Sequence, residues 1–232
     1  MAAVFSPNPH TAEEGGTSPF SWDAVNTGTG TTFTLSNAQA YAGTYSYAAY
    51  ANATTNTAYG QDTFTGVGVF YLDYYLYIPS SLRGGAWDYC ACSVFGNDEY
   101  NNVSLLIGFV GDNTPAGWTI LGAGEASWDF LTTGFATDVW LHIEMLWDYG
   151  AGGTTTLWFK VNGETVYTSS TLTCSWTTTT FANIGMAGLA GSPVTGTLYF
   201  DSIYGYDAIP APPSGGAPVA VFLHQLREQG IS

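Results

Sequence analysis

The chain has 232 residues, of which 46% are hydrophobic and 16% aromatic but only 9% charged, and its 18 acidic residues face 3 Lys and Arg for a net charge of −15. Phosphate neutralisation needs clusters of Lys and Arg, so no nucleic acid is expected as a partner, and an anionic membrane surface would repel the chain. No run approaches the roughly 18 apolar residues of a membrane span, which excludes membrane insertion, and a chain of this length can bury roughly 70–75% of its unfolded surface in one all-β domain.

Residues 1–20 carry Pro7, Pro9, Pro19 and the Gly15-Gly16 pair, the marks of an extended N-terminal arm. They show neither a basic start nor an apolar run of signal-peptide length, which implies synthesis in a cytoplasm; secretion is the alternative. Strand-like runs follow at 31–36, 45–51, 57–64, 67–78, 87–95, 102–110, 117–121, 138–147, 155–161, 164–168, 181–187 and 196–206, separated by Gly, Asn and Pro. So many short strands predict a β-sandwich or barrel over residues 21–207.

Within this series, VFYLDYYLYI from Val69 sets Tyr71, Asp73, Tyr75 and Tyr77 on one face and Phe70, Leu72, Tyr74 and Leu76 on the other. Trp87 and Tyr89 share a face on the next strand, as do Trp158 and Lys160 later. Rings beside hydroxyls and a carboxylate suit a sugar, so Tyr71, Asp73, Tyr75, Tyr77, Trp87 and Tyr89 are glycan-binding candidates. The same ladder would equally serve sheet or subunit packing. Cys90, Cys92 and Cys174 are an odd set without a fourth zinc ligand and read as small buried hydrophobes.

The segment VWLHIEMLWDYGAGGTTTLWFKVNGETV from Val139 is the most explicit. Leu141, Ile143, Met145 and Trp147 alternate with Trp140, His142, Glu144 and Leu146, a period of two. Gly150, Gly152 and Gly153 allow a reversal, a second strand runs through Leu157, Phe159 and Val161, and Asn162-Gly163 is the preferred pair for a type I′ hairpin. Three antiparallel strands follow. Glu144 invites comparison with the nucleophile of jelly-roll glycoside hydrolases, which need two facing carboxylates. Its strand partners would be Asp148 and His142; Asp148 is assigned to the opposite face and no E-x-D-x-x-E pattern is present, so Glu144 is read as structural and no catalytic residue is expected. His10, His142 and His224 are too scattered for a metal cluster or a triad.

Residues 208–218 form a Pro/Gly linker, and 219–232 a short amphipathic helix with Val219, Phe222, Leu223 and Leu226 on one face. A helix this short needs a docking surface, either its own domain or another subunit.

The hairpin segment resembles the laminin-G-like and concanavalin-A-like jelly rolls. So do Glu13-Glu14-Gly15, Trp22-Asp23 and Tyr41-Ala42-Gly43-Thr44-Tyr45-Ser46 near the start, and the strand from Gly196 to Tyr204 near the end. The resemblance implies a concanavalin A-like antiparallel β-sandwich. It also implies a calcium ion held by Glu13 and Asp201 with a carbonyl near Gly43, although Ala12 and Ser202 depart from the usual pattern. The layout of two arms around a lectin-like body resembles bacteriophage virion accessory proteins. On that basis the chain is expected to be a non-enzymatic decoration or tail module on a virion surface, bound to other protein subunits of the assembly and to cell-surface glycan. A free-standing carbohydrate-binding module or lectin is the first alternative, and a glycoside hydrolase or lyase of jelly-roll type the second.

Overall fold

The computed structural model describes residues 1–6, 8–13, 22–54, 56–85, 89–98, 102–109, 114–122, 128–130, 134–150, 155–172, 176–190 and 193–210. They contain fourteen strands and no helix: β1 (Ala24–Thr27), β2 (Thr31–Ser36), β3 (Ser46–Thr54), β4 (Ala58–Val67), β5 (Val69–Tyr77), β6 (Tyr89–Gly96), β7 (Asn102–Phe109), β8 (Pro115–Gly122), β9 (Trp128–Phe130), β10 (Trp140–Tyr149), β11 (Thr155–Val161), β12 (Glu164–Leu172), β13 (Thr179–Ala190) and β14 (Val194–Tyr206). Two seven-stranded antiparallel sheets result, in the orders β12-β11-β10-β5-β14-β3-β2 and β1-β4-β13-β6-β7-β8-β9. The chain has the jelly-roll β-sandwich fold expected of it. Trp87, Cys174 and the docking residues Val219, Phe222, Leu223 and Leu226 lie outside the described residues.

Strand periodicity explains the layering. On β10, Leu141, Ile143, Met145 and Trp147 turn inward and are buried, as do Phe70, Leu72, Tyr74 and Leu76 on β5 and Leu157 and Phe159 on β11. The second sheet answers with Phe95, Leu105, Ile107 and Trp118; the Trp118 ring stands edge-on to Phe159 at 5.3 Å, and Phe95 lies 5.1 Å from Phe70. Each such buried ring contributes about 1.5–3 kcal/mol by removal from water. Cys90 and Cys92 are free, fully buried members of this core, and burial pushes the Cys92 thiol up to about 12. At the β11–β12 turn Asn162 and Gly163 both have positive φ, 52° and 81°, the type I′ pair read from the sequence. The Asn162 side-chain oxygen accepts the His142 N–H at 2.9 Å and its own N–H bonds the His142 carbonyl at 2.8 Å, which fixes this end of β10.

The N-terminal arm is extended, but its described residues belong to the sandwich. β3 accompanies β14 as far as the Tyr47–Phe200 pair. Beyond that point the arm takes over the same edge, with His10 bridged to Ile203 and Ala3 to Tyr206. The Asn8 side chain bonds both the N–H and the carbonyl of Gly205 at 3.1 Å. Phe5 is 4% exposed and packs where Gly205 lacks a side chain; a Cβ there would stand 2.8 Å from the ring. His10 is fully buried, stacked on Trp22 at 4.1 Å, with its Nε2 2.6 Å from Asp62 Oδ2. In the described residues of the arm, Phe5 and Ala12 join the core of their own domain.

Candidate active site

The first sheet presents an outer face of unusual composition. Because β10 pairs β5 in unbroken register, and β11 and β14 flank them, side chains line up in rows across four strands. One row is Trp140, Tyr77 and Tyr199; the next is His142, Tyr75 and Asp201; the third is Lys160, Glu144, Asp73 and Tyr204; the fourth is Trp158, Leu146, Tyr71 and Tyr206. The bulge between Asp201 and Tyr204 returns Tyr204 and Tyr206 to this face, and Ser202 within it has φ 49°. Tyr71 and Leu146 are buried without belonging to the core between the sheets, because neighbours on the same face crowd over them.

At the centre the polar groups bond one another. The Tyr71 hydroxyl donates to Glu144 Oε1 at 2.7 Å and lies 3.4 Å from Asp73 Oδ2. Asp73 Oδ1 meets His142 Nε2 at 2.8 Å, and His142 Nδ1 lies 4.0 Å from Glu144 Oε2. Two carboxylates that share one hydroxyl at these distances lie within about 6 Å of each other, close to the separations of about 5–5.5 or 6.5–9.5 Å used in glycoside cleavage. The side chains of Glu144, His142 and Asp73 keep 17%, 14% and 11% of their surface in contact with solvent.

Electrostatics follows from this arrangement. Burial alone would depress the His142 pKa, but the hydrogen bond and charge of Asp73, with Glu144 behind, hold it above its ordinary value. Burial raises the Asp73 carboxyl, and the His142 bond pulls it only partly back. The two groups together therefore hold one proton tightly. Burial and the two nearby carboxylates push the Tyr71 phenol far above its ordinary value, so it serves as a donor and not as a base.

Aromatic groups flank the network on both sides. Tyr75 is stacked on His142 at 4.9 Å and on Tyr41 at 3.5 Å, and Trp140 stands edge-on to Tyr41 and Tyr77. On the other side Tyr71 contacts Trp158 and Tyr206, Tyr204 stacks on Tyr206, and Lys160 Nζ sits 4.4 Å over the Trp158 ring.

The face containing Tyr71, Asp73, Tyr75 and Tyr77 is where the alternation placed it, but Tyr71 and Asp73 are buried at its centre. Tyr89 is separated from them: β5 and β6 enter different sheets, so consecutive strands do not extend one surface. Asp148 shares the outer face with Glu144, four residues away on a strand without a bulge against β5; the opposite-face assignment is corrected. The second carboxylate is Asp73, across the ladder. His142, Tyr41, Tyr204 and Tyr206 were not among the expected site residues. Pairing the β10 pattern with the β5 pattern would have shown His142 beside Tyr75 and Glu144 beside Asp73.

Glu13 and Asp201 converge on the turn that carries Tyr41. Glu13 accepts the N–H groups of Thr44 and Tyr45, and Asp201 those of Tyr41 and Ala42 at 3.0 and 2.9 Å. Burial raises the Asp201 carboxyl despite these donors. Among the described residues no group of three or more His, Cys, Asp or Glu gathers to hold a metal, so a calcium shell at these two acids would require backbone carbonyls.

No protein-family model matches the chain, and no curated protein matches it in sequence. Solved structures do match. The cellulose induced protein Cip1 superposes with a TM-score of 0.61 at 16% identity, over 85% of this chain and 96% of its own. An endo-β-1,4-glucuronan lyase from the fungus Trichoderma reesei gives 0.56 at 12% identity, over 80% and 90%. Alginate lyase vAL-1 from Chlorella virus gives 0.52 at 14% identity, over 80% and 92%. The shared feature is the jelly-roll fold. The expectation of a non-enzymatic module on a phage virion is corrected on this finding: two of these three structures, which match over most of both chains, are polysaccharide lyases, and the outer face carries paired, hydrogen-bonded carboxylates with a histidine. The facing carboxylate was missed because a partner for Glu144 was sought along one strand, whereas Asp73 stands opposite it on β5.

Proposed function

We propose that the protein is a carbohydrate-active enzyme that breaks a glycosidic bond of a polysaccharide laid across the outer face of the first sheet. One observation carries the reading: Tyr71 joins Glu144 and Asp73 from adjacent strands while His142 is bonded to Asp73. Cleavage of a glycosidic bond needs a proton delivered to the leaving oxygen and a base on the other partner. The Asp73–His142 pair holds such a proton, and Glu144, oriented by Tyr71, supplies a carboxylate with an exposed edge. Half-buried rings to either side, Trp140, Tyr77, Trp158 and Tyr206, would stack on sugar units and hold the chain in place. The lyase activity of the neighbours that share the fold supports the same class of substrate.

The test is release of new chain ends from a polysaccharide panel by wild type and by Glu144→Gln, with thermal unfolding as a control for folding. Loss of roughly 10²–10⁴-fold in rate with an unchanged unfolding temperature is expected. Equal rates would remove Glu144 from the chemistry. Calcium at Glu13 and Asp201 belongs to the proposal as a support for the Tyr41 turn, apart from the reacting groups.

A further inference from the structure

We infer that the polysaccharide is uncharged and that its bond is broken by hydrolysis, in contrast to the elimination that lyases perform on uronate chains; this rests on the glycan-cleaving reading above. The basic side chains of the chain are Arg83, Lys160 and Arg227. The Arg83 guanidinium is bonded to the carbonyls of Ser80 and Leu82, and Arg227 lies outside the described residues. Lys160 and His142 are therefore the cationic groups in the rows of the outer face, and those rows also hold Asp73, Glu144, Asp201 and, one step further along β10, Asp148. His142 is already bonded to Asp73, so among the described residues of these rows the charge left for a bound anion is that of Lys160.

A polyuronate carries one carboxylate per sugar. Elimination requires that the carboxylate next to the departing proton be neutralised by donors or cations, because only then is that proton acidic enough to remove. At the centre of this face an incoming carboxylate meets Glu144 and Asp73 instead, on a protein whose net charge of −15 repels the whole chain before contact. An uncharged glycan meets no such barrier. Its sugar faces can stack on the Trp140/Tyr77/Tyr199 row and the Trp158/Tyr206 row, which lie three side-chain steps apart, about 20 Å along the strands.

A sugar without a carboxylate has no acidified proton to eliminate, so water must be the second reactant. The Asp73–His142 pair gives its proton to the glycosidic oxygen as the bond from that oxygen to the anomeric carbon breaks. A water oxygen bonds to the same carbon and passes one proton to Glu144. One water is consumed, one reducing end and one alcohol are produced, and exchange with solvent returns the proton from Glu144 to the pair.

The experiment incubates the full-length protein with hydroxyethylcellulose, laminarin, xylan, mannan and starch, and in parallel with alginate and polyglucuronate. Reducing ends and the ultraviolet absorbance of unsaturated sugar are read on each. The expected result is reducing ends from at least one uncharged polymer, about 100-fold faster than from either polyuronate, with no unsaturated product, and loss of this activity in E144Q by roughly 10²–10⁴-fold. Unsaturated product from alginate or polyglucuronate overturns this inference and leaves the glycan-cleaving reading standing. No new ends from any polymer overturns that reading, and the inference falls with it.

Discussion

Phe5→Ala tests whether the N-terminal arm is part of the folded body. Phe5 is 4% exposed, and its ring lies between 5.5 and 6.5 Å from those of His10, Trp22, Phe64 and Phe70. Gly205 on β14 makes room for it. Truncating a buried phenylalanine in such a setting costs about 3–5 kcal/mol, the transfer loss plus the cavity left behind. In a protein of this size each kcal/mol lowers the unfolding temperature by about 2–4 °C, so a fall of roughly 6–20 °C is expected. Thermal unfolding followed by near-ultraviolet circular dichroism measures it, since the tryptophan and tyrosine side chains around the site report their own packing. Molecular mass from light scattering should be the same before and after the change. A fall of less than about 2 °C would refute the argument, because a ring seated among four others cannot be removed so cheaply.

Two further outcomes follow from the electrostatics. His142 has a raised pKa in the folded protein, so it contributes stability that is complete below its unfolded value near 6.5 and lost as the pH rises through the higher folded value. Asp73 and Asp201, raised by burial, act with the same sign at lower pH. The urea midpoint should therefore fall between pH 6 and pH 9, and fall less in His142→Gln; equal slopes in the two proteins would refute the assignment. Calcium at Glu13 and Asp201 predicts a melting temperature that drops with a chelator, recovers with added calcium and responds to neither in Glu13→Gln. Coincident melts under all conditions would leave the turn held by its four N–H donors alone.

The parts of this fold written in local periodicity were legible. Alternation on β5 and on β10, Asp148 apart, separated inner from outer residues, and Asn162-Gly163 marked its turn because few other pairs accept positive φ at both positions. β1 and β9 are too short, at four and three residues, to show any period. What lies between strands was not legible. Tyr71 and Glu144 are 73 residues apart, and only the sheet order brings them together. The pattern of β5 set Tyr71 and Asp73 on one face, and that of β10 set His142 and Glu144 on one face, without the register that joins the two pairs. The packing of the arm was not legible for a related reason: isolated residues such as Phe5 and His10, set among prolines, carry no period, and their burial depends on a stretch of β14 that β3 leaves unpaired.

The edge that the arm completes also brings the two ends of the sandwich together. The Ala2 N–H donates to Asp207, and the Asp207 N–H returns a bond to the Ala2 carbonyl. Topologically the body is thus a nearly closed ring, and a short peptide joining residue 207 to residue 1 would seal it. New ends could then be opened at the Asn162-Gly163 turn, where nothing stands within 4 Å of the position a Gly163 side chain would take. Such a rearranged chain would keep every strand pairing, and it would free residue 207 from whatever follows it in the natural order.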